Sequence, residues 1–213
     1  KIVYLNPGGN ILYCTAYIAY YLFSKIKNLE DYDWLVACSC LSDFTIYENK
    51  EWMEKIFQKY KDHSEIKPMS MEIGPIQNLK RTLEYALIYF STKKDLITVF
   101  NSIKPEFGNI GKIEKQAREV EEEVNSTIKR FESEKQEING RYLFEFDPKF
   151  NIGAIVSNTV NMKHPNKTII ALRPKDQKYA VSMRRQDQKE NMNLLMKNVL
   201  KNLENSGGGG HIP

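Results

Sequence analysis

The residues best suited to chemistry lie near the end of the chain, where His211 follows four glycines, Gly207, Gly208, Gly209 and Gly210. Because glycine has no Cβ, the backbone N–H groups of such a segment can approach an anion closely, and the imidazole adds a further donor. Phosphate is the natural ligand of this arrangement. The same composition is also typical of a flexible linker, so both interpretations stay open from this segment alone.

A second candidate is the end of a predicted strand that begins at Lys178. Ser182 and Arg184 are two residues apart, and the alternation of side chains along a strand places them on one face of the sheet. A guanidinium group binds phosphate oxygens in pairs, so this hydroxyl and this cation suit a phosphate. The alternative is an ordinary basic edge strand, since arginine is common on protein surfaces.

A solitary carboxylate forms the third candidate. A predicted helix begins at Asp31 or Asp33, is apolar from Trp34 to Leu41, and is followed by Asp43. A single acid at the end of such an apolar helix is unusual. The alternative is a plain helix-end or turn aspartate, as these residues favour turns.

The cysteines are better explained by packing than by chemistry. Cys14, Cys38 and Cys40 are an odd number in apolar surroundings, which predicts free thiols in a reducing compartment rather than a disulfide framework. No histidine or further cysteine lies near the Cys-x-Cys pair, so small buried residues are favoured over metal ligands. His63, among polar neighbours, is interpreted as a solvated loop residue.

Composition narrows the class of protein. The 213 residues are 41% hydrophobic and 27% charged, which is typical of a globular protein and excludes fibrous or disordered chains. The apolar segment from Ile11 to Ser24 has 14 residues, fewer than the roughly 20 of a membrane-spanning helix, and it lacks the flanks of a signal peptide. We therefore expect a cytoplasmic protein with no membrane partner.

The charge is unevenly distributed along the chain. Residues 1–140 carry a net charge of −2 and residues 141–213 a net charge of +6, which favours polyanion binding by the C-terminal part.

The order of predicted elements gives an α/β chain. A strand at Lys1–Leu5 precedes a helix from Ile11 to about Lys27 that is apolar nearly all round and is therefore expected to be buried. Amphipathic helices follow between Glu48 and Lys104, and apolar residues three or four apart predict one helix over 110–138, about 43 Å long. The remaining elements are strand, helix, strand, strand and helix, at residues 141–146, 152–162, 168–172, 178–183 and 193–203.

The C-terminal pattern resembles a known domain. A strand ending in Ser-x-Arg, then a helix, then Gly-Gly-Gly-His is similar to the DHH-associated domain of the DHH phosphoesterase superfamily. Asn151–Ser157 resembles the first helix of that domain and Thr168–Leu172 its following strand, so the resemblance covers residues 141–213. In the family the motif continues into Ala-Ala-Gly, whereas this sequence ends at Pro213, which implies a domain that is cut short.

The N-terminal residues resemble the closing part of the catalytic DHH domain of RecJ-like members. Three features match that part of the family: Asn6-Pro7, then an apolar helix, then a second helix that ends in an aspartate. The resemblance implies that this aspartate, Asp43, is a catalytic metal-ligand carboxylate. The earlier aspartate motifs and the Asp-His-His triplet would precede Lys1, so the chain is expected to be a fragment. The implied division is residues 1–45 for the end of the DHH domain, 46–109 for a helical insertion, 110–140 for a connector helix and 141–213 for the DHH-associated domain.

The resemblance implies a two-lobed α/β hydrolase, a RecJ-like exonuclease of single-stranded DNA or RNA that uses two Mn²⁺ or Mg²⁺ ions. The implied phosphate-binding residues are Ser182, Arg184, Gly208, Gly209, Gly210 and His211. Replication or repair proteins are implied partners, and the fragment alone is expected to be inactive. Two alternatives remain: a phosphodiesterase for short oligonucleotides or cyclic dinucleotides, and a non-catalytic replication scaffold of the same family.

Overall fold

The computed structural model describes residues 14–63, 74–204 and 206–208. They form two compact units, the first ending at Ala117 and the second beginning at Arg118. Helices make up the first unit, and the second contains a four-stranded sheet, so the predicted mixed α/β class is confirmed. The predicted strand at Lys1–Leu5 lies outside the described residues.

Five α-helices build the first unit within its described residues. They are α1 (Thr15–Phe23), α2 (Asp33–Ser42), α3 (Lys50–Lys59), α4 (Pro75–Thr92) and α5 (Leu96–Ser102). α2 packs against α1, α3 and α4 and is buried along most of its length, as its apolar sequence predicts. Trp34 at its start is fully buried, and its indole N–H donates a hydrogen bond of 3.1 Å to the carbonyl of Pro105.

The expectation that the first helix is buried is wrong for α1 itself. None of its residues is fully buried, and Tyr21 and Phe23 are 55% and 59% exposed. Among the described residues, α1 is covered by α2 and by Trp52 of α3, whose ring lies 5.1 Å from that of Tyr17. Within the described residues, these two neighbours leave part of the apolar surface of α1 exposed.

The long helix predicted over residues 110–138 is shorter than expected. A 3₁₀ turn covers Gly111–Ile113, and α6 spans Glu114–Glu134 across the boundary between the two units. Residues 136–138 form a strand instead, because Asn139 and Gly140 have φ values of 50° and 75°. Two successive left-handed residues form the turn that joins the strands of a hairpin, and this local preference outweighs the helical spacing of Ile138.

The second unit contains one sheet in the order β1-β2-β3-β4, formed by Gln136–Ile138, Arg141–Glu145, Thr168–Lys175 and Lys178–Arg184. β2 and β3 are parallel and are joined through α7 (Gly153–Lys163), whereas the other pairs are antiparallel. α8 (Met192–Leu200) follows β4. The predicted strand, helix, strand, strand and helix are all present, and β1 is the additional strand.

One face of this sheet is covered by helices. Phe131 of α6 is fully buried and meets Phe144 of β2 edge to face at 5.5 Å. His164, at the end of α7, lies 5.2 Å from the ring of Tyr142 on the same face. Cross-strand partners share a face, so the register adds further residues to this helix-covered face, namely Ile169, Ala171, Arg173, Ser182 and Arg184.

No helix among the described residues is both long enough and apolar enough to cross a membrane.

Candidate functional site

Ser182 and Arg184 share a face, as their spacing predicts. Ser182 lies opposite the buried Ala171 and Arg184 opposite the buried Ile169 in the β3–β4 ladder. Both side chains are half-buried. The backbone carbonyl of Arg184 accepts a hydrogen bond of 3.4 Å from the side-chain amide of Asn161, which ties the end of β4 to α7.

The half-buried side chain of Arg184 has unused hydrogen-bonding capacity. Its Nε–H is buried and donates to no partner among the described residues. Burial lowers the pKa of this guanidinium, although an arginine stays charged in a protein. A buried donor without an acceptor is unfavourable, and a bound anion would supply that acceptor.

The neighbouring arginine is different. Arg185 points to the opposite face, and its guanidinium donates to Asp187 at 2.6 and 3.1 Å and pairs with Glu190 at 3.6 Å. The hydrogen bond from Arg185 lowers the pKa of Asp187 to about 2. Of the two consecutive arginines, Arg185 is neutralised within the protein, whereas Nε–H of Arg184 has no acceptor among the described residues.

The glycine segment is described only at its start. Ser206 donates hydrogen bonds to the carbonyls of Leu200 and Leu203, the latter at 2.7 Å. A Cβ on Gly208 would come within 3.3 Å of the Leu200 side chain, so this glycine lies close against α8. Gly209, Gly210 and His211 lie outside the described residues, and their role in phosphate binding stays a prediction.

Asp43 is held at the C-terminal end of α2, in the first unit. Its N–H donates to the carbonyl of Ser39 at 3.0 Å, and Phe44 after it is left-handed with a φ of 56°. The N–H of Thr45 then reaches back to the carbonyl of Cys40 at 3.0 Å, which is a Schellman cap. An exposed carboxylate at the negative end of a helix dipole is unfavourable, and a cation near it would offset that cost.

Two thiols lie beside this carboxylate. Cys14 precedes α1 and is buried, and burial together with its hydrogen bond to Asp43 raises its pKa. Burial raises the pKa of Cys40 to about 12, and the neighbouring Cys14 contributes to this rise. Both thiols are therefore protonated, and Cys14 lies close to the Asp43 carboxylate. Sequence reasoning missed this contact because it depends on how α1 packs against α2.

The donors around Asp43 do not by themselves make up a metal centre. In the part of the chain that the structure describes, no group of three or more His, Cys, Asp or Glu side chains is arranged to hold a metal ion. Asp43 offers one hard oxygen ligand, which suits Mn²⁺ or Mg²⁺, whereas protonated thiols suit neither. The described residues thus fit one ligand of a larger set.

The chain was compared with protein-family models and with curated proteins, and it matches none of them. The resemblance to the DHH phosphoesterases therefore depends on the motifs themselves.

Proposed function

We propose that this chain belongs to a RecJ-like phosphoesterase and binds single-stranded nucleic acid through the phosphates of the strand. The observation that carries the proposal is the half-buried side chain of Arg184, whose buried Nε–H lacks an acceptor among the described residues while Ser182 shares its face. A hydroxyl and a guanidinium on one face match the oxygens of a phosphodiester. The net charge of +6 on residues 141–213 adds a long-range attraction for such a strand.

In this proposal Asp43 holds a divalent cation, and the remaining ligands come from the aspartate and Asp-His-His motifs that the resemblance implies upstream of Lys1. Bound Mn²⁺ or Mg²⁺ supplies electrostatic stabilisation of the phosphate under attack. The chain's own residues perform two tasks. Arg184 and Ser182 bind and orient the strand, while the Schellman cap keeps the Asp43 carboxylate at a defined position.

Binding tests the strand-holding part of the proposal. We expect a fluorescein-labelled oligothymidylate to bind the chain, and Arg184→Gln to weaken this binding about 10- to 150-fold, because a hydrogen bond to a charged group contributes roughly 1.5–3 kcal/mol. The slope of log K against log salt concentration should fall by about one. Fluorescence anisotropy across a salt series measures both quantities.

Arg185→Gln is the matched control. It removes the same charge from the adjacent position, but that side chain faces away and is already neutralised by Asp187 and Glu190. We expect less than a twofold change in affinity. Equal losses in Arg184→Gln and Arg185→Gln would mean that only overall charge matters, and the specific assignment of Arg184 would then be wrong.

Cleavage tests the role of Asp43. A polypeptide that carries the upstream motifs together with these residues should shorten end-labelled single strands in the presence of Mn²⁺. Asp43→Ala should abolish cleavage and leave strand binding within about twofold. Cleavage of dinucleotides alone would favour a small phosphodiesterase, and binding without any cleavage would favour a scaffold. Cleavage by Asp43→Ala at the wild-type rate would refute the catalytic assignment.

A further inference from the structure

We infer that Arg173 forms a second phosphate-binding position on the helix-covered face, which selects strands of several nucleotides over dinucleotides. This inference rests on the proposed function, since it concerns the same strand that Arg184 binds. It adds a residue and a substrate length that the sequence motifs do not indicate.

The β3–β4 ladder places the two arginines on one face at a defined separation. Arg184 lies opposite Ile169, and Arg173 is four residues further along β3, opposite Ala180. A strand advances about 3.3 Å per residue, so the two ladder positions are roughly 13 Å apart. Ser182 lies between them on β4. A single phosphate cannot bridge that distance, whereas two phosphates about four nucleotides apart in one strand can, because a stacked strand advances about 3.4 Å per nucleotide.

The guanidinium of Arg173 is oriented but not saturated. One terminal nitrogen, Nη1, donates to the side-chain oxygen of Asn151 at 2.8 Å. Its Nε–H is buried and has no acceptor within the described residues, and in that part of the chain no carboxylate pairs with it. Arg173 therefore resembles Arg184 and differs from Arg185, whose charge is neutralised. Buried donors of this kind normally have a partner, and an anion is the partner that also neutralises the charge.

Gly153 provides the space for this guanidinium. A Cβ at Gly153 would lie 2.5 Å from Nε and 2.6 Å from Cζ of Arg173, closer than real contacts allow. The backbone of Gly153 is helical, so the absence of a side chain serves the close approach of Arg173 rather than an unusual φ.

The position also lies at the start of a helix. α7 has 11 residues, and its N-cap residue Ile152 makes no side-chain capping hydrogen bond, so the first N–H groups of α7 carry partial positive charge next to the guanidinium. The guanidinium of Arg173 thus lies against Gly153, the first residue of α7. The chemistry favours one oxyanion, and within a nucleic-acid strand that oxyanion is a phosphate.

Strand length is the variable that tests this inference. The affinity for a labelled oligothymidylate of about twelve nucleotides is measured directly. The affinity for a thymidine dinucleotide is measured by its competition with the labelled strand. We expect Arg173→Gln to weaken the long strand about 5- to 20-fold, to reduce its salt slope by about one, and to change dinucleotide binding less than twofold. Arg184→Gln should weaken both ligands.

Two further variants separate binding from folding and from bulk charge. Gly153→Ala keeps the charge of Arg173 but displaces its guanidinium, so it should weaken the long strand selectively as well. Lys163→Gln removes an exposed charge from the other end of α7 and should change either affinity less than twofold. Thermal melting of each variant confirms that the fold is retained.

Several outcomes would overturn the inference. If Arg173→Gln weakens both ligands equally, Arg173 binds the same phosphate as Arg184. If it weakens neither while Arg184→Gln still weakens both, Arg173 has only a structural role and the proposed function stands. If the wild-type chain binds neither ligand, the proposed function fails and the inference fails with it.

Discussion

The C-terminal turn of α2 gives a direct test of how Asp43 is positioned. Phe44 follows Asp43 in a left-handed conformation with a φ of 56°, and its side chain is 75% exposed. A residue with a Cβ is strained in this region, whereas glycine is not. We therefore predict that Phe44→Gly is more stable than Phe44→Ala.

The comparison of these two variants isolates the contribution of the backbone at residue 44 to the free energy of unfolding. Both lose the same mostly exposed ring, so its small packing contribution cancels. In an ordinary helix or strand, glycine is about 0.5–1 kcal/mol less stable than alanine. At a left-handed position the order reverses, because a Cβ costs roughly 1–2 kcal/mol there. We therefore expect the free energy of unfolding of Phe44→Gly to be about 1 kcal/mol higher than that of Phe44→Ala.

Urea denaturation monitored through tryptophan fluorescence measures this difference in the free energy of unfolding for the first unit. Both tryptophans of the chain, Trp34 and Trp52, belong to the first unit, so the signal reports on the helices that hold Asp43. A parallel thermal melt should show a shift of roughly 2–4 °C. If Phe44→Ala is equally stable or more stable, residue 44 is not left-handed and the Schellman cap that positions Asp43 is wrong.

Two further predictions concern the packing of each unit. Phe131→Ala should destabilise the second unit by about 3–5 kcal/mol, because this fully buried ring contacts Phe144 edge to face, and circular dichroism in urea measures the loss. In the first unit, burial and a 2.6 Å hydrogen bond to Asp33 raise the pKa of Tyr60 to about 12. A folded pKa above the ordinary value of 10 means that this stabilisation is complete below about pH 10 and is lost between pH 10 and 12. Ultraviolet absorbance of the tyrosinate measures the titration.

Conservative variants serve as controls for the Phe131 and the Tyr60 predictions. Phe131→Leu keeps most of the buried volume and should cost clearly less than Phe131→Ala; equal costs would argue against a close-packed site. Tyr60→Phe should remove the late step of the titration, and Asp33→Asn should move it to lower pH. An unchanged titration curve in Tyr60→Phe would contradict the assignment of the raised pKa.

Much of the second unit was predictable because its signals are local. Alternation along β4 was enough to place Ser182 and Arg184 on one face. The helical spacing of Ile138 predicts that the helix continues to that residue, whereas the left-handed turn at Asn139-Gly140 makes residues 136–138 a strand. The approach of Cys14 to Asp43 joins residues 29 positions apart, and nothing local to either residue indicates it.

The sequence by itself determined the mixed α/β class, the order of most elements and the faces on which polar side chains lie, because periodicity and turn preferences act over a few residues. Only the tertiary structure decided which arginines are paired with carboxylates. Arg173, Arg184 and Arg185 are chemically identical, yet Asp187 and Glu190 neutralise Arg185 while Nε of each of the other two stays buried without an acceptor in the described chain. The free energy of a charge depends on the partners and the burial that folding brings to it, and these come from distant segments.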